Sequence, residues 1–189
     1  MLLSINTLIV IFLSIFSIIG LSFRRFYFSC IFHPASFPTH TKWHTLLSSA
    51  CIHANGFHAL FNLGLLYIYG NELERLMKVN AFNPGWLLVL FVAAISLANL
   101  LNLGIHRHHL AFSSVGVSNG VFAIMAATLL WSPHKIIHFM PFITLPNMWL
   151  VPILWFLNII YAVKSKLEIV YSGHLVGITS GVISTLLII

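Results

Sequence analysis

Charged residues in this chain gather at or between the ends of long apolar stretches, and that pattern dictates its solvent. The stretches are residues 1–22, 54–73, 84–103, 115–131, 146–163 and 170–189. Each is close to the roughly 20 residues a helix needs to cross the hydrocarbon core of a bilayer. Only 6% of all residues are charged and 59% are hydrophobic, whereas a soluble domain carries about 25% charged residues. Such a chain cannot clothe a water-facing surface. The expected fold is therefore all-α: a polytopic membrane protein whose single domain, 1–189, is a bundle of six transmembrane helices. Residues 23–52 mix aromatics with Pro34, Pro38 and several histidines, and are expected to lie as a loop in the interface, where Tyr27 and Trp43 suit the headgroup level. The first 22 residues have the apolar core of a signal peptide but no charged leader or A-x-A site, so they are read as a retained helix.

The balance of nine Lys and Arg against three acids gives a net charge of +6. Nucleic-acid binders cluster their basic residues in runs, and no such run exists here. The basic residues flank the apolar stretches, so the expected contacts are the lipid bilayer and other membrane proteins, with no nucleic acid. Cys30 and Cys51 fall in one inter-span region, either as a disulfide in an oxidising compartment or as free thiols.

Polar groups inside lipid are costly and mark function by default. Three clusters stand out, each near the start of a span. His53, His58 and Asn62 enter the second, Gly116-Val117-Ser118-Asn119-Gly120 opens the fourth, and Gly173-His174 opens the sixth, with Gly177 and Gly181 behind. Six spans put the starts of the second, fourth and sixth on one side of the membrane. His58 and Asn62, four apart, share a helix face. Gly177 and Gly181 make a G-x-x-x-G pair that lets another helix approach, and Gly116 and Gly120 make a second pair around Ser118. Two such stripes can bring Ser118 within reach of His174, and a hydroxyl beside an imidazole is the minimal activated nucleophile. His58, Asn62 and the Ser118 N–H could then donate to a developing oxyanion. Taken singly, each feature has a plainer reading as helix packing or as an interfacial polar residue; their shared depth and side give the combination its weight.

The composition also excludes rivals. The chain has no Asp, so neither an aspartyl dyad nor a Ser-His-Asp triad is possible. It has no H-E-x-x-H. Eleven histidines raise a metal or haem site, with His134 and His138 four apart and His106, His108 and His109 clustered, but no carboxylate or thiol accompanies them. No metal and no cofactor is expected.

At this point the motifs resemble the rhomboid family, with its bacterial GlpG type as the nearest pattern, over roughly residues 40 to 189. H-A-L-F-N, His58 to Asn62, has the family's H-x-x-x-N spacing. Glu74-Arg75 resembles its acidic–basic pair, Gly116 to Ser118 the start of its G-x-S-G motif, and Gly173 to Gly181 its final helix. The resemblance implies a rhomboid-like membrane domain with an intramembrane serine endopeptidase activity carried by a Ser-His dyad. Ser118 would attack and His174 would move the proton. His58, Asn62 and the Ser118 N–H would hold the oxyanion, and Phe122 would pack on the imidazole. Trp149, Trp155 and Phe156 would lie on the helix beside which substrate enters, and residues 164 to 173 would cap the site. Substrates would be transmembrane segments of other proteins that unwind near small residues. The setting would be a multi-pass position in a bacterial inner membrane. A catalytically inactive rhomboid-like binder of membrane proteins is the alternative. This sequence departs from the family in having Asn119 after the nucleophile where Gly is usual, His44 after Trp43 where Arg is usual, and Ala126 where Gly is usual. The basic residues also favour the orientation opposite to the family's: Arg24, Arg25, Lys42, Arg107, Lys164 and Lys166 fall in the loops the family places outside, and Arg75, Lys78 and Lys135 in those it places inside.

Overall fold

The computed structural model describes residues 3–37, 42–140, 143–164 and 168–188, and these are mostly helical. In chain order the helices are α1 (Ile5–Ser22), α2 (Arg24–Cys30), α3 (Thr45–Ser48), α4 (Gly56–Val79), α5 (Gly85–His106), α6 (Ser118–Trp131), α7 (Asn147–Lys164) and α8 (Glu168–Ile188), with strands β1 (Ile136–Met140) and β2 (Ile143–Pro146) between α6 and α7. α1 and α5 are long and apolar enough to cross a membrane. The outer faces carry large apolar side chains: Phe57, Leu60, Phe61, Leu186 and Leu187 are all more than half exposed.

The all-α expectation needs one correction. The joint between α6 and α7 is an antiparallel hairpin in which Ile136 pairs with Pro146 and His138 with Thr144. Its sequence is rich in β-branched residues, which suit a pleated strand, and it is too short to compete as a helix. The interfacial loop expected over 23–52 is more structured than a loop. It holds α2, α3 and two single 3₁₀ turns, Pro34–Ser36 and Ser49–Cys51, and Phe32 and Phe37 are buried with Phe112 in a small satellite core. Cys30 and Cys51 are free thiols. Pro38 lies outside the described residues.

α6 is the axle of the bundle. Ten of its residues, from Asn119 to Leu129, are buried, and it packs against α8, α4, α5 and α7. A helix enclosed on all sides must be lined with small or apolar groups, which Gly120, Ala123, Ala126 and Ala127 provide.

α1 is held against α4 by polar contacts. Ser4 caps it by accepting from the Thr7 N–H at 3.0 Å. The Glu74 carboxylate accepts from the N–H groups of Asn6, at 2.9 Å, and Ile5, at 3.2 Å. A carboxylate at a helix N-terminus satisfies orphan donors and complements the helix dipole. Glu74 is 2% exposed, and Lys78 balances its charge at 2.7 Å. Arg75 pairs instead with Glu72 at the surface. Glu74→Ala leaves two N–H groups without their acceptor and is expected to cost about 1–3 kcal/mol. That corresponds to a melting temperature lower by roughly 3–10 °C, read by thermal unfolding in detergent. An unchanged midpoint would show that the carboxylate does not anchor α1.

Candidate active site

Ser118 is the first residue of α6, and the segment leading to it is pinned on both sides. The Phe32 N–H donates to the Ser114 carbonyl at 3.1 Å and the Ser114 N–H to that of Phe32 at 2.9 Å, while the Gly116 N–H donates to the Ser49 carbonyl at 2.9 Å. Ser49 is itself held, because Asn99 of α5 donates to the Leu46 carbonyl at 2.7 Å and to the Ser49 hydroxyl at 3.2 Å. Gly116 has φ +107°, a backbone region that L side chains avoid. A Cβ there would also lie 2.7 Å from Cε1 of His58.

Across the site, α8 is pressed onto α6. A Cβ on Gly177 would overlap the Asn119 carbonyl oxygen, and one on Gly181 would overlap that of Ala123 and lie 2.9 Å from the Ala126 Cβ. The Gly177–Gly181 stripe therefore sits directly on the backbone of α6. Gly116 and Gly120 do not form the matching stripe. Gly116 lies in the turn before the helix, and Gly120 faces α5, where a Cβ would come within 2.7 Å of the Phe91 ring. Asn119 projects toward α8, and Gly173 makes room for it: a Cβ there would lie 2.6 Å from the Asn119 Oδ1.

This packing puts the Ser118 Oγ 3.0 Å from Nε2 of His174. The Phe122 ring, one turn further along α6, lies with its centroid 4.4 Å from that of the imidazole. On the other edge of the ring, Nδ1 of His174 lies 3.1 Å from Oδ1 of Asn158 on α7. This neighbour was not singled out from the sequence. Its signal was an amide deep in an otherwise apolar stretch, away from the helix starts where the other polar residues cluster.

Beside Ser118 is a cavity of about 200 Å³ lined by Ala54, His58, Asn102, Ser114, Asn119 and Gly173, among others. Asn55 caps α4 by accepting from the His58 N–H at 2.8 Å, and this fixes where the His58 ring enters. Its Nδ1 is buried without a hydrogen-bond partner among the described residues. Asn62 does not line the cavity; it is 5% exposed, and its Nδ2 donates to the His58 carbonyl at 2.9 Å. Behind His58, at a centroid distance of 5.2 Å, is the ring of His53, which is fully buried and hydrogen-bonded through Nδ1 to the Ser17 hydroxyl at 2.8 Å. Burial first, and then the neighbouring His58, push the His53 imidazole down to about 4, so it is neutral at pH 7.

The chemistry available follows from these positions. A hydroxyl rests on an imidazole nitrogen at the edge of a polar cavity. The first hydrogen bond of α6 runs from the Val121 N–H to the Val117 carbonyl, so the Ser118 N–H has no partner within the helix. Ser118 and His58 both line the same space. Trp149, Trp155 and Phe156 are each at least 45% exposed on α7. Of the segment 164 to 173, residues 165–167 lie outside the described residues, and so does the side chain of Glu168. Among the described residues no three His, Cys, Asp or Glu side chains converge as a metal site.

A family model, the rhomboid domain, matches residues 40–189. No curated protein matches the chain.

Proposed function

This chain belongs to the rhomboid family of integral membrane proteins, and from that premise we propose that it is an intramembrane serine endopeptidase that cuts transmembrane segments of other proteins. The observation that carries the reading is the 3.0 Å contact between the Ser118 Oγ and the His174 Nε2 at the edge of a polar cavity. Family membership by itself covers proteases and inactive homologues alike; an intact hydroxyl–imidazole pair favours the protease.

In the proposed reaction the Ser118 Oγ attacks the scissile carbonyl carbon, and its proton passes to Nε2 of His174. The carbonyl oxygen becomes an oxyanion that takes hydrogen bonds from the Ser118 N–H and from His58. His174 then gives the proton to the leaving amide nitrogen as the C–N bond breaks, which leaves an ester on Ser118. Water, deprotonated by the same imidazole, hydrolyses that ester and restores the hydroxyl.

The six longer helices, α1 and α4 to α8, are the spans. α6, with 14 residues, rises about 21 Å, less than the roughly 30 Å of hydrocarbon it must bridge. Its N-terminus, and with it Ser118, therefore sits below the membrane surface, under the pinned segment that precedes it. This is the depth at which an enclosed, water-filled cavity is needed. The substrates proposed are transmembrane segments that unwind near small residues, and the space of about 200 Å³ beside Ser118 gives the unwound chain room. The proposed setting, from the resemblance of the motifs to the family's bacterial type, is a bacterial inner membrane.

The test is covalent labelling of the detergent-folded protein with a fluorophosphonate, which phosphonylates only an activated serine, followed by peptide mass spectrometry. The expected result is one modified residue, Ser118, and cleavage of a transmembrane substrate that stops once labelling is complete. Absence of both between pH 6 and 9, with capture of a membrane client that survives Ser118→Ala, would establish the inactive binder instead. Asn119, buried against Gly173 where the family usually has glycine, is the feature that favours that second reading.

A further inference from the structure

We propose that Asn158 is a positioning residue for His174, which makes the site a Ser-His-Asn relay whose third member comes from α7. The inference rests on the reading of Ser118 and His174 as nucleophile and base, and extends it to the tautomer the base must hold.

The argument begins with the amide of Asn158, which is 6% exposed. Its Nδ2 lies 2.8 Å from the Leu154 carbonyl oxygen, one turn back on α7. A carbonyl only accepts, so the atom facing it must be the NH₂, and the atom facing His174 must be Oδ1. Rotating the amide by 180° would set two oxygens against each other. Oδ1 also only accepts, so Nδ1 of His174, 3.1 Å away, carries a proton. In a neutral imidazole, Nε2 is then the bare nitrogen. Facing the Ser118 Oγ at 3.0 Å, it accepts the hydroxyl proton. One backbone carbonyl on α7 thus fixes, through one amide, which nitrogen of His174 can act as base. In the other tautomer Nε2 would be a donor, and the serine proton would have nowhere to go.

The imidazole is fixed from three helices. Ser118 and Phe122 hold it from α6, Asn158 from α7 and its own backbone from α8. The neutral amide adds orientation without a buried charge, which suits a chain with no Asp. Glu or Asp at 158 would have to be ionised inside the bundle to serve the same end, at a large desolvation cost.

The experiment compares Asn158→Ala, Asn158→Leu and Asn158→Asp with the wild type. It records fluorophosphonate inactivation rates from pH 5 to 9 and ¹⁵N spectra of the histidine rings in detergent. His58 on α4 lines the same cavity as Ser118; it is unchanged across the series, so differences between profiles report on position 158. Asn158→Ala and Asn158→Leu are expected to inactivate about 10- to 100-fold more slowly at pH 7, the equivalent of one lost hydrogen bond to a developing charge, and to lose the Nδ1–H signature of His174. Asn158→Asp is expected to keep that signature, because a neutral carboxyl donates its O–H to the Leu154 carbonyl and still accepts from Nδ1 with its other oxygen. It is close in shape to Asn, so it keeps the series readable where the apolar variants fail to fold. Rates within twofold of wild type, with unchanged histidine spectra, would overturn the proposal. If the wild type is not labelled at all, the nucleophile reading fails, and the ¹⁵N spectra still decide whether Asn158 sets the tautomer.

Discussion

His174→Ala is expected to cut a transmembrane substrate about 10²- to 10⁴-fold more slowly than the wild type, the range removed with a general acid–base residue, while Ser118→Ala gives no covalent adduct. The size follows from what the ring does in both halves of the reaction. Without it the Ser118 hydroxyl has no acceptor at 3.0 Å, and the leaving amine has no donor. What survives is the oxyanion site and binding, which alone leave some catalysis over water. The fold should survive both changes. The contact that joins α6 to α8 is made by Gly177 and Gly181 against backbone, and neither substitution touches it. Removing the ring leaves Oδ1 of Asn158 without its donor and the Phe122 face uncovered, so a melting point lower by a few degrees is expected of His174→Ala and almost no change of Ser118→Ala. Turnover should be measured on reconstituted protein, with circular dichroism to confirm helicity. His174→Ala within tenfold of wild type would mean that another group is the base. The double variant Ser118→Ala/His174→Ala should be no slower than the worse single variant, because the two act as a unit.

The polar pair was legible in the sequence because its members share a depth in the membrane, which hydropathy reports well. Ser118 and His174 each stand at the start of an apolar run, and a bundle with short connections puts those starts on one side. The Gly177–Gly181 stripe followed from helical spacing, and Phe122 from the resemblance to the rhomboid family. The stretch around Ser118 was harder. A G-x-x-x-G spacing presumes that both glycines are helical, yet the structure starts the helix at Ser118 and leaves Gly116 in a positive-φ turn, so the two glycines serve different neighbours. The strand pair β1 and β2 went unread because a polar joint and a short β-rich run look alike when long apolar helices set the scale. The segment 23–52 lacked twenty clean apolar residues, and its structure comes from tertiary contacts such as the Phe32–Ser114 bridge, which no local pattern encodes. Asn158 carried a signal, an amide in lipid, but its partner lies 16 residues away on another helix. Only packing determines which atom of which neighbour it meets.

Gly177→Val should be the most damaging single change outside the reacting groups, and Gly177→Ala should separate activity from stability. The Cβ of either residue would overlap the carbonyl oxygen of Asn119, and the Asn119 backbone carbon would lie at 3.1 Å. The obstruction is backbone inside an enclosed helix, so no rotamer relieves it. α8 must move outward or α6 must bend. Asn119 is the residue after the nucleophile and Gly177 lies one turn past His174, so the displacement falls on the 3.0 Å contact itself. A shift of about an ångström at reacting groups costs on the order of 10²-fold in rate, whereas overpacking by one methyl costs about 1–3 kcal/mol, which a folded bundle can survive. Gly177→Ala is therefore expected to remain folded, with a modestly lower melting temperature and activity down by roughly two orders of magnitude. The two further methyls of Val should prevent the α6–α8 contact from closing at all, with loss of both activity and a cooperative unfolding transition. Gly64→Ala on α4 is the control, because a Cβ there meets nothing within 4 Å; replacing a mid-helix glycine should leave activity intact and raise stability by about 0.5–1 kcal/mol. Full activity in Gly177→Ala would mean that α6 and α8 are not in contact at this point, and the 3.0 Å approach of the hydroxyl to the imidazole would then have to be set by other contacts of the ring, such as Phe122 and Asn158.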